Sequence, residues 1–421
     1  MTVGYHKVKA GKPYACQQGQ QAHFMTTALV LSGGGARAAY QVGVLKAVSE
    51  ILPETAYSPF PIICGTSAGA INTLALAGRR GSFAQRILAV EKIWRSLRAE
   101  DVYCSSFFRV AANTMKLGTS LVFSGLGIAQ PQSLLDNSPL RRLLARVVNF
   151  RDIDEAIASN YLKAVAITAM SYNTGQSITF FQGDHDNWRR ARRLGVRTGL
   201  TLDHLMASAA IPTMFPPVRI GDGYFGDGAV RQLKPLSPAI RLGAERLFIV
   251  GVSDNPVRGH VAEEPCHAPS VAQTMGHLLN SAFIDTIESD LETLRAINRL
   301  YDSICATNVQ DPAIADIKKI DYVSITPSVA INDVAAQYFC ALPRSMRLFL
   351  RMTGATGGTG GASAVSYLMF EQGFCCELID MGYQDALRQQ QEIQRFFSLS
   401  EEVAPAEERG IATSVTAAHS T

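Results

Sequence analysis

No stretch of this sequence approaches the roughly 18–20 consecutive apolar residues that a membrane-spanning helix requires, so a bilayer-spanning protein is not expected. The first 24 residues are polar and lack a continuous apolar segment, so no secretory signal is expected either. A dominant charge is missing too: a net charge of +3 over 421 residues gives no global reason to bind nucleic acid, and any attraction to an anionic surface has to be local. The eight cysteines (Cys16, Cys64, Cys104, Cys266, Cys305, Cys340, Cys375 and Cys376) form no CxxC pair and no regular spacing with histidine. That argues against a zinc site and against a disulfide framework. They read as reduced, mostly buried thiols of a cytoplasmic protein working in the cytosol or at a membrane face. No internal repeat is seen. With 47% hydrophobic and 18% charged residues, the chain has enough apolar side chain for a substantial core.

What the sequence does have is three glycine-dense turns in an α/β pattern. Residues 27–31 form a strand-like run that enters Ser32-Gly33-Gly34-Gly35-Ala36-Arg37. A helix is expected next, with Tyr40, Val44, Leu45 and Val48 on one face at 3.6-residue spacing. A second apolar run, Pro61-Ile62-Ile63-Cys64, meets Gly65-Thr66-Ser67-Ala68-Gly69 and a further helical segment. Strand, glycine turn and helix in alternation favour a mostly parallel sheet. Further on, residues 162–170 and 177–181 read as paired strands around Asn173-Thr174-Gly175, and 202–210 as a helix. Residues 221–229 read as a glycine-rich loop, and 247–252 and 321–325 as strands. Residues 105–131 are irregular. Segments 284–300 and 364–397 are expected to be helical, around a Gly/Thr-rich loop at 353–361.

The Gly-x-Ser-x-Gly pentad has the grammar of a nucleophile elbow, in which Ser67 is held on a sharp strand-to-helix turn framed by Gly65 and Gly69. Alone, it reads more readily as a glycine-rich turn whose serine caps a helix. The Gly33–Gly35 turn presents N–H groups to an anion. A nucleotide phosphate is disfavoured, because no carboxylate ends the second strand and no Gly-Lys-Ser/Thr follows the glycines. The oxyanion of an acyl-transfer intermediate remains. Ester cleavage by serine needs a nucleophile, a base and N–H donors aimed at the developing charge. For the base, Asp227 in Gly226-Asp227-Gly228 is the best candidate and Asp222 the decoy. His185, His204, His260, His267, His277 and His419 sit in no distinctive setting, so a Ser–Asp dyad is favoured over a histidine triad.

Gly-Gly-Gly-Ala-Arg after one strand, Gly-Thr-Ser-Ala-Gly after the next and Asp-Gly-Ala near the middle resemble the patatin-like phospholipase family. Ser208-Ala209-Ala210-Ile211-Pro212-x-x-Phe215-Pro216-Pro217-Val218, leading into the aspartate turn, resembles it too. The likeness is strongest over residues 26–255. Ala38 and Ala229 stand where many members have glycine. The resemblance implies a three-layer α/β/α fold and a lipid acyl hydrolase. It also implies Ser67 as nucleophile, Asp227 as base, and the turn Gly33, Gly34, Gly35, Ala36 and Arg37 around the oxyanion. Phospholipid or another fatty acyl ester is the expected substrate. A lipid acyltransferase using the same dyad and a catalytically idle lipid-binding protein are the alternatives. The scheme needs no metal or other cofactor, while calcium regulation stays open. The oligomeric state is not legible.

The expected organisation is a leader (1–25), a catalytic domain (26–255), a mostly helical region packed on or continuing it (256–398) and a disordered tail (399–421). The C-terminal third matches no motif and is expected to hold the determinants of substrate and location. One dense basic run, Trp188, Arg189, Arg190, Arg192 and Arg193, is read either as a solvated helix face or loop or as a patch docking on anionic lipid, with Trp188 at the interface.

Overall fold

The computed structural model describes residues 25–54, 58–104, 133–253, 270–283, 285–307, 318–352, 354 and 362–398. The expected leader (but for Met25), the 105–131 section, most of the 353–361 loop, the tail, Cys16, Cys266, His260, His267 and His419 lie outside them.

Five strands build the parallel part of the sheet: β1 (Thr27–Leu31), β2 (Ile62–Thr66), β3 (Ala164–Ser171), β9 (Arg246–Val250) and β10 (Asp321–Ile325), in the order β10-β9-β1-β2-β3. Five further strands join through β3: β4 (Ser177–Gly183), β5 (Trp188–Arg190), β6 (Arg193–Arg197), β7 (Val218–Ile220) and β8 (Gly223–Asp227). β4 and β8 are antiparallel to β3, β6 is parallel to β4, and β5 and β7 are antiparallel to β6 and β8 respectively. β1 and β2 are buried along their whole length, as expected for parallel strands covered on both faces. Alternation sorts their side chains. Leu29 and Leu31 join the core beneath α1 (Ala39–Ile51), α2 (Ala68–Ala77) and α3 (Phe83–Ser96). Ala28 and Val30 join the opposite core with Leu236, Ala239 and Leu291. The result is a three-layer α/β/α fold with a helical C-terminal region.

Two segments differ from the sequence expectation. Residues 221–229 contain a strand: β8 pairs with β7 and with β3, and the glycines that suggested a loop let it lie under the Tyr172 ring at Gly226. The basic run is a hairpin at the sheet edge, in which β5 and β6 pair antiparallel around a turn that holds Arg192. Of the six described cysteines, all free, only Cys64 and Cys375 are buried, while Cys305 and Cys340 are exposed. No described helix is long and apolar enough to cross a membrane.

The C-terminal helix Gln372–Arg388 crosses α1 at glycines on both sides. A Cβ on Gly43 would stand 1.8 Å from the Ile379 carbonyl oxygen, and one on Gly382 would stand 2.2 Å from that of Tyr40. The Tyr40 hydroxyl donates to Asp385 at 3.0 Å in the same seam. Gly→Ala inside a helix ordinarily stabilises by about 1 kcal/mol. At Gly43 the sign reverses: Gly43→Ala is expected to destabilise by about 1–3 kcal/mol through overpacking, read as a lower midpoint of urea unfolding.

Candidate active site

Strand register brings the two candidate catalytic residues together. On β3, Thr168 pairs with Thr66 of β2, and the next residue, Ala169, pairs with Asp227 of β8. β4 occupies the other edge of β3 through Met170. β2 and β8 therefore run toward each other along one edge of β3, and their C-terminal ends meet at Ser67 and Asp227. On β2's other side, Leu31 of β1 pairs with Gly65. The Gly33–Arg37 turn thus leaves the sheet beside the serine.

Ser67 has φ 56° and ψ −127°, a left-handed backbone that a β-carbon disfavours and that surrounding contacts must hold. Its N–H donates to Ser208 Oγ at 3.0 Å, and Ser208 Oγ donates to the Thr168 carbonyl at 2.6 Å. Gly69 lets the first turn of α2 close on the end of β1, where a Cβ would come 2.4 Å from the Leu31 oxygen. Gly65 fits equally tightly against Gly69 and Thr73. Ser67 is 2% exposed and sits at the N-terminus of α2, whose unpaired N–H groups favour negative charge.

Asp227 is fully buried. Its Oδ1 accepts the Ala229 N–H at 2.9 Å, while Oδ2 has no hydrogen-bond partner. Burial pushes its pKa up to about 7, against smaller downward pulls from the Ser67 hydroxyl and the Ala229 N–H. The Ser67 hydroxyl is thus close enough to pull on the carboxylate, while Oδ2 is left without a hydrogen bond. Asp222 is exposed in the β7–β8 turn. His204 caps its own helix through Thr201 and lies edge-on to Phe180, and burial lowers its pKa. His277 is exposed and His185 half-buried.

The glycine turn is shaped from both sides. A Cβ on Gly33 would meet the Phe283 ring at 2.7 Å and Ser67 Cβ at 3.1 Å, so its backbone runs directly past the serine. Gly35, at φ +56°, faces the Tyr367 carbonyl oxygen, which a Cβ would approach to 2.2 Å. Among the described residues, no acceptor is bonded to the N–H of Gly33 or Gly34. Beneath the turn runs a buried amide chain. Trp94 Nε1 donates to Asn72 Oδ1 (2.7 Å), Asn72 Nδ2 to Gln41 Oε1 (2.9 Å) and Gln41 Nε2 to the Ser32 carbonyl (2.9 Å).

Arg37, fully buried, turns its guanidinium to the C-terminal helices. Nε donates to Ser366 Oγ at 2.8 Å, Nη2 donates to Asn332 Oδ1 at 2.7 Å, and the group lies 4.3 Å from the Tyr367 ring centroid. Sequence reasoning missed Asn332, Ser366 and Tyr367, which carry no local signal. Of the basic run, Trp188 stacks on Phe181 at 4.8 Å and covers Gly195, while Arg189, Arg190 and Arg192 are exposed and Arg193 is half-buried.

An apolar cavity of about 640 Å³, its open mouth included, starts at Ser67 and Gly35 and runs between α2, α3 and the helix Ser138–Val147. Ile71, Val90, Leu140 and Phe215 are among its walls. Its almost wholly apolar lining suits hydrocarbon, each buried methylene contributing about 0.8 kcal/mol. No described cluster of His, Cys, Asp or Glu has the makings of a metal site.

The family model described as patatin-like phospholipase matches residues 29–240. Two curated relatives are a cGAMP-activated phospholipase of Pseudomonas aeruginosa, 29% identical over 203 residues (48% of this chain, 52% of the relative), and one of Escherichia coli, 26% identical over 211 residues (48% and 51%). The chain spans about half the length of the curated relatives it matches. Among solved structures, human GIVD cytosolic phospholipase A2 superposes over 93% of this chain and 62% of its own, at 10% identity and TM-score 0.44. VipD from Legionella pneumophila superposes over 88% and 67%, at 12% identity and TM-score 0.35.

Two outcomes follow from this geometry. The raised pKa of Asp227 means that the folded state holds its proton to higher pH than the unfolded state does. The residue thus costs no stability at pH below about 4 and a growing amount as pH rises toward 7. Asp227→Asn is therefore expected to unfold at a higher temperature than wild type at pH 8, with the difference vanishing near pH 4. Ser366→Ala leaves a buried guanidinium N–H unpaired. It is expected to cost about 1–3 kcal/mol in urea unfolding and to lower kcat more than it raises KM.

Proposed function

This chain belongs to the patatin-like phospholipase family, and within that family of lipid hydrolases we propose that it is a serine esterase cleaving fatty acyl esters, phospholipid or lysophospholipid among them, through Ser67 and Asp227. The observation that carries the reading is the dry carboxylate of Asp227, one oxygen unpartnered, acting on a strained serine at the head of an apolar cavity.

In this scheme the acyl chain lies in the cavity and brings its ester carbonyl to Ser67 Oγ. Asp227 Oδ2 takes the hydroxyl proton as Oγ attacks. The carbonyl oxygen gains the negative charge, which the free N–H groups of Gly33 and Gly34 and the N-terminus of α2 stabilise. Collapse expels the alcohol, which leaves with the proton from Asp227, and an acyl-serine remains. Water, deprotonated by the same carboxylate, then attacks the acyl-serine, and fatty acid leaves as Ser67 recovers its proton. Arg37, held by Ser366 and Asn332, acts in this account as the strut that fixes the glycine turn.

Because Asp227 works only when ionised, kcat/KM for a p-nitrophenyl acyl ester is expected to rise with pH through an apparent pKa of about 7. Ser67→Ala and Asp227→Asn are each expected to lower kcat by about a thousandfold or more. Wild-type rates in both variants would refute the dyad. Both curated relatives are named for activation by cGAMP, so the rate is measured with and without it. A rate present only with cGAMP would extend that regulation to this chain. Acyl transfer to an added alcohol, in place of release of free fatty acid, would favour the transferase alternative.

A further inference from the structure

The helix Arg344–Met352 carries a surface that the chemistry above does not use. At 100° per residue, Met346 and Leu350 share one face, and both are buried in the main core. Leu348 points the opposite way and is exposed, with Met352, 78% exposed, one turn on. Arg344, Arg347 and Arg351 fill the flank between, and none of the nine residues is acidic. Among the described residues no carboxylate pairs with any of the three arginines. Arg347 Nε is buried without a partner, and the Arg351 guanidinium stands 5.8 Å from the Phe339 ring centroid.

A single exposed leucine needs no explanation. Two neighbouring exposed apolar side chains beside three unneutralised cations on one helix are a different matter, since each half matches one layer of an anionic lipid surface. The arginines meet head groups, and Leu348 and Met352 reach the acyl boundary. The chain to either side leads back to the candidate active site. On the N-terminal side the helix Ile331–Gln337 carries Asn332, and on the C-terminal side the helix Ala362–Leu368 carries Ser366 and Tyr367, the residues that grip Arg37. On the reading that this chain hydrolyses lipid esters, we propose that the ridge of Leu348 and Met352 with Arg344, Arg347 and Arg351 seats the protein on anionic bilayers.

The test is co-sedimentation of the full chain with vesicles of non-hydrolysable diether lipid, either phosphatidylcholine alone or with about a third phosphatidylglycerol. Wild type is expected to bind the mixed vesicles, to bind neutral ones far more weakly and to release in high salt. Arg344→Glu/Arg351→Glu is expected to weaken binding by at least roughly fivefold per arginine. Leu348→Ser/Met352→Ser is expected to weaken it on a separate surface chemistry. Both variants are expected to keep wild-type hydrolysis of a water-soluble short-chain ester, and if one loses its fold the other still decides. The proposal is overturned by vesicle binding that both variants retain, or by a wild type that binds no vesicles and instead self-associates through Leu348. It is equally overturned if reversing Arg189, Arg190 and Arg192 abolishes binding while the ridge variants bind normally. Vesicle binding that follows the ridge, in a protein that hydrolyses no ester, would leave the ridge standing and remove the dyad.

Discussion

The candidate site depends most on the burial of one carboxylate. Asp227 is cut off from water, holds a single N–H at one oxygen and leaves the other bare. Burial of this kind disfavours the charged form, which is why the group's pKa climbs to about 7. A fold selected for stability alone would place an uncharged residue there. With its pKa near neutrality, the same carboxylate is the kind of group that the proposed ester cleavage needs to move a proton. The strain at Ser67 belongs to the same bargain, since Ser208, Gly69 and the register of β2 on β3 hold a backbone that β-branched or bulky residues would not tolerate.

Holding that arrangement takes the C-terminal region as well as the segment matched by the family. β10 extends the sheet, the helix Gln372–Arg388 locks onto α1 through Gly43 and Gly382, and Ser366, Asn332 and Tyr367 fix Arg37. Phe283 closes over Gly33 from the same side. The glycine turn is therefore clamped between the buried amide chain of Trp94, Asn72 and Gln41 below and C-terminal side chains above.

How much of this was legible in the sequence depends on range. β1, β2 and the serine turn were readable because continuous apolar runs abut glycine turns, and both signals lie within a dozen residues. The helical face of Tyr40, Val44, Leu45 and Val48 was readable from its period, and all four are buried. β8 was not. Gly223 and Gly226 weaken any local strand signal, and what makes the segment a strand is its pairing with β3, over 50 residues away in the chain. The partners of Arg37 were out of reach for the same reason, 329 and 295 residues distant. That Trp188 stacks on Phe181 was likewise illegible, because nothing local announces the ring beneath it. Motifs marked the candidate site, and long-range packing decided which side chains surround it.

The most direct measurement is fluorophosphonate labelling of the full chain, followed by mass spectrometry of its peptides and repeated with Asp227→Asn. A serine activated by a buried carboxylate should carry the adduct on Ser67 alone, and the folded Asp227→Asn protein should label far more slowly. Adducts on other serines, or labelling of Ser67 at an unchanged rate when Asp227 is replaced, would contradict the account.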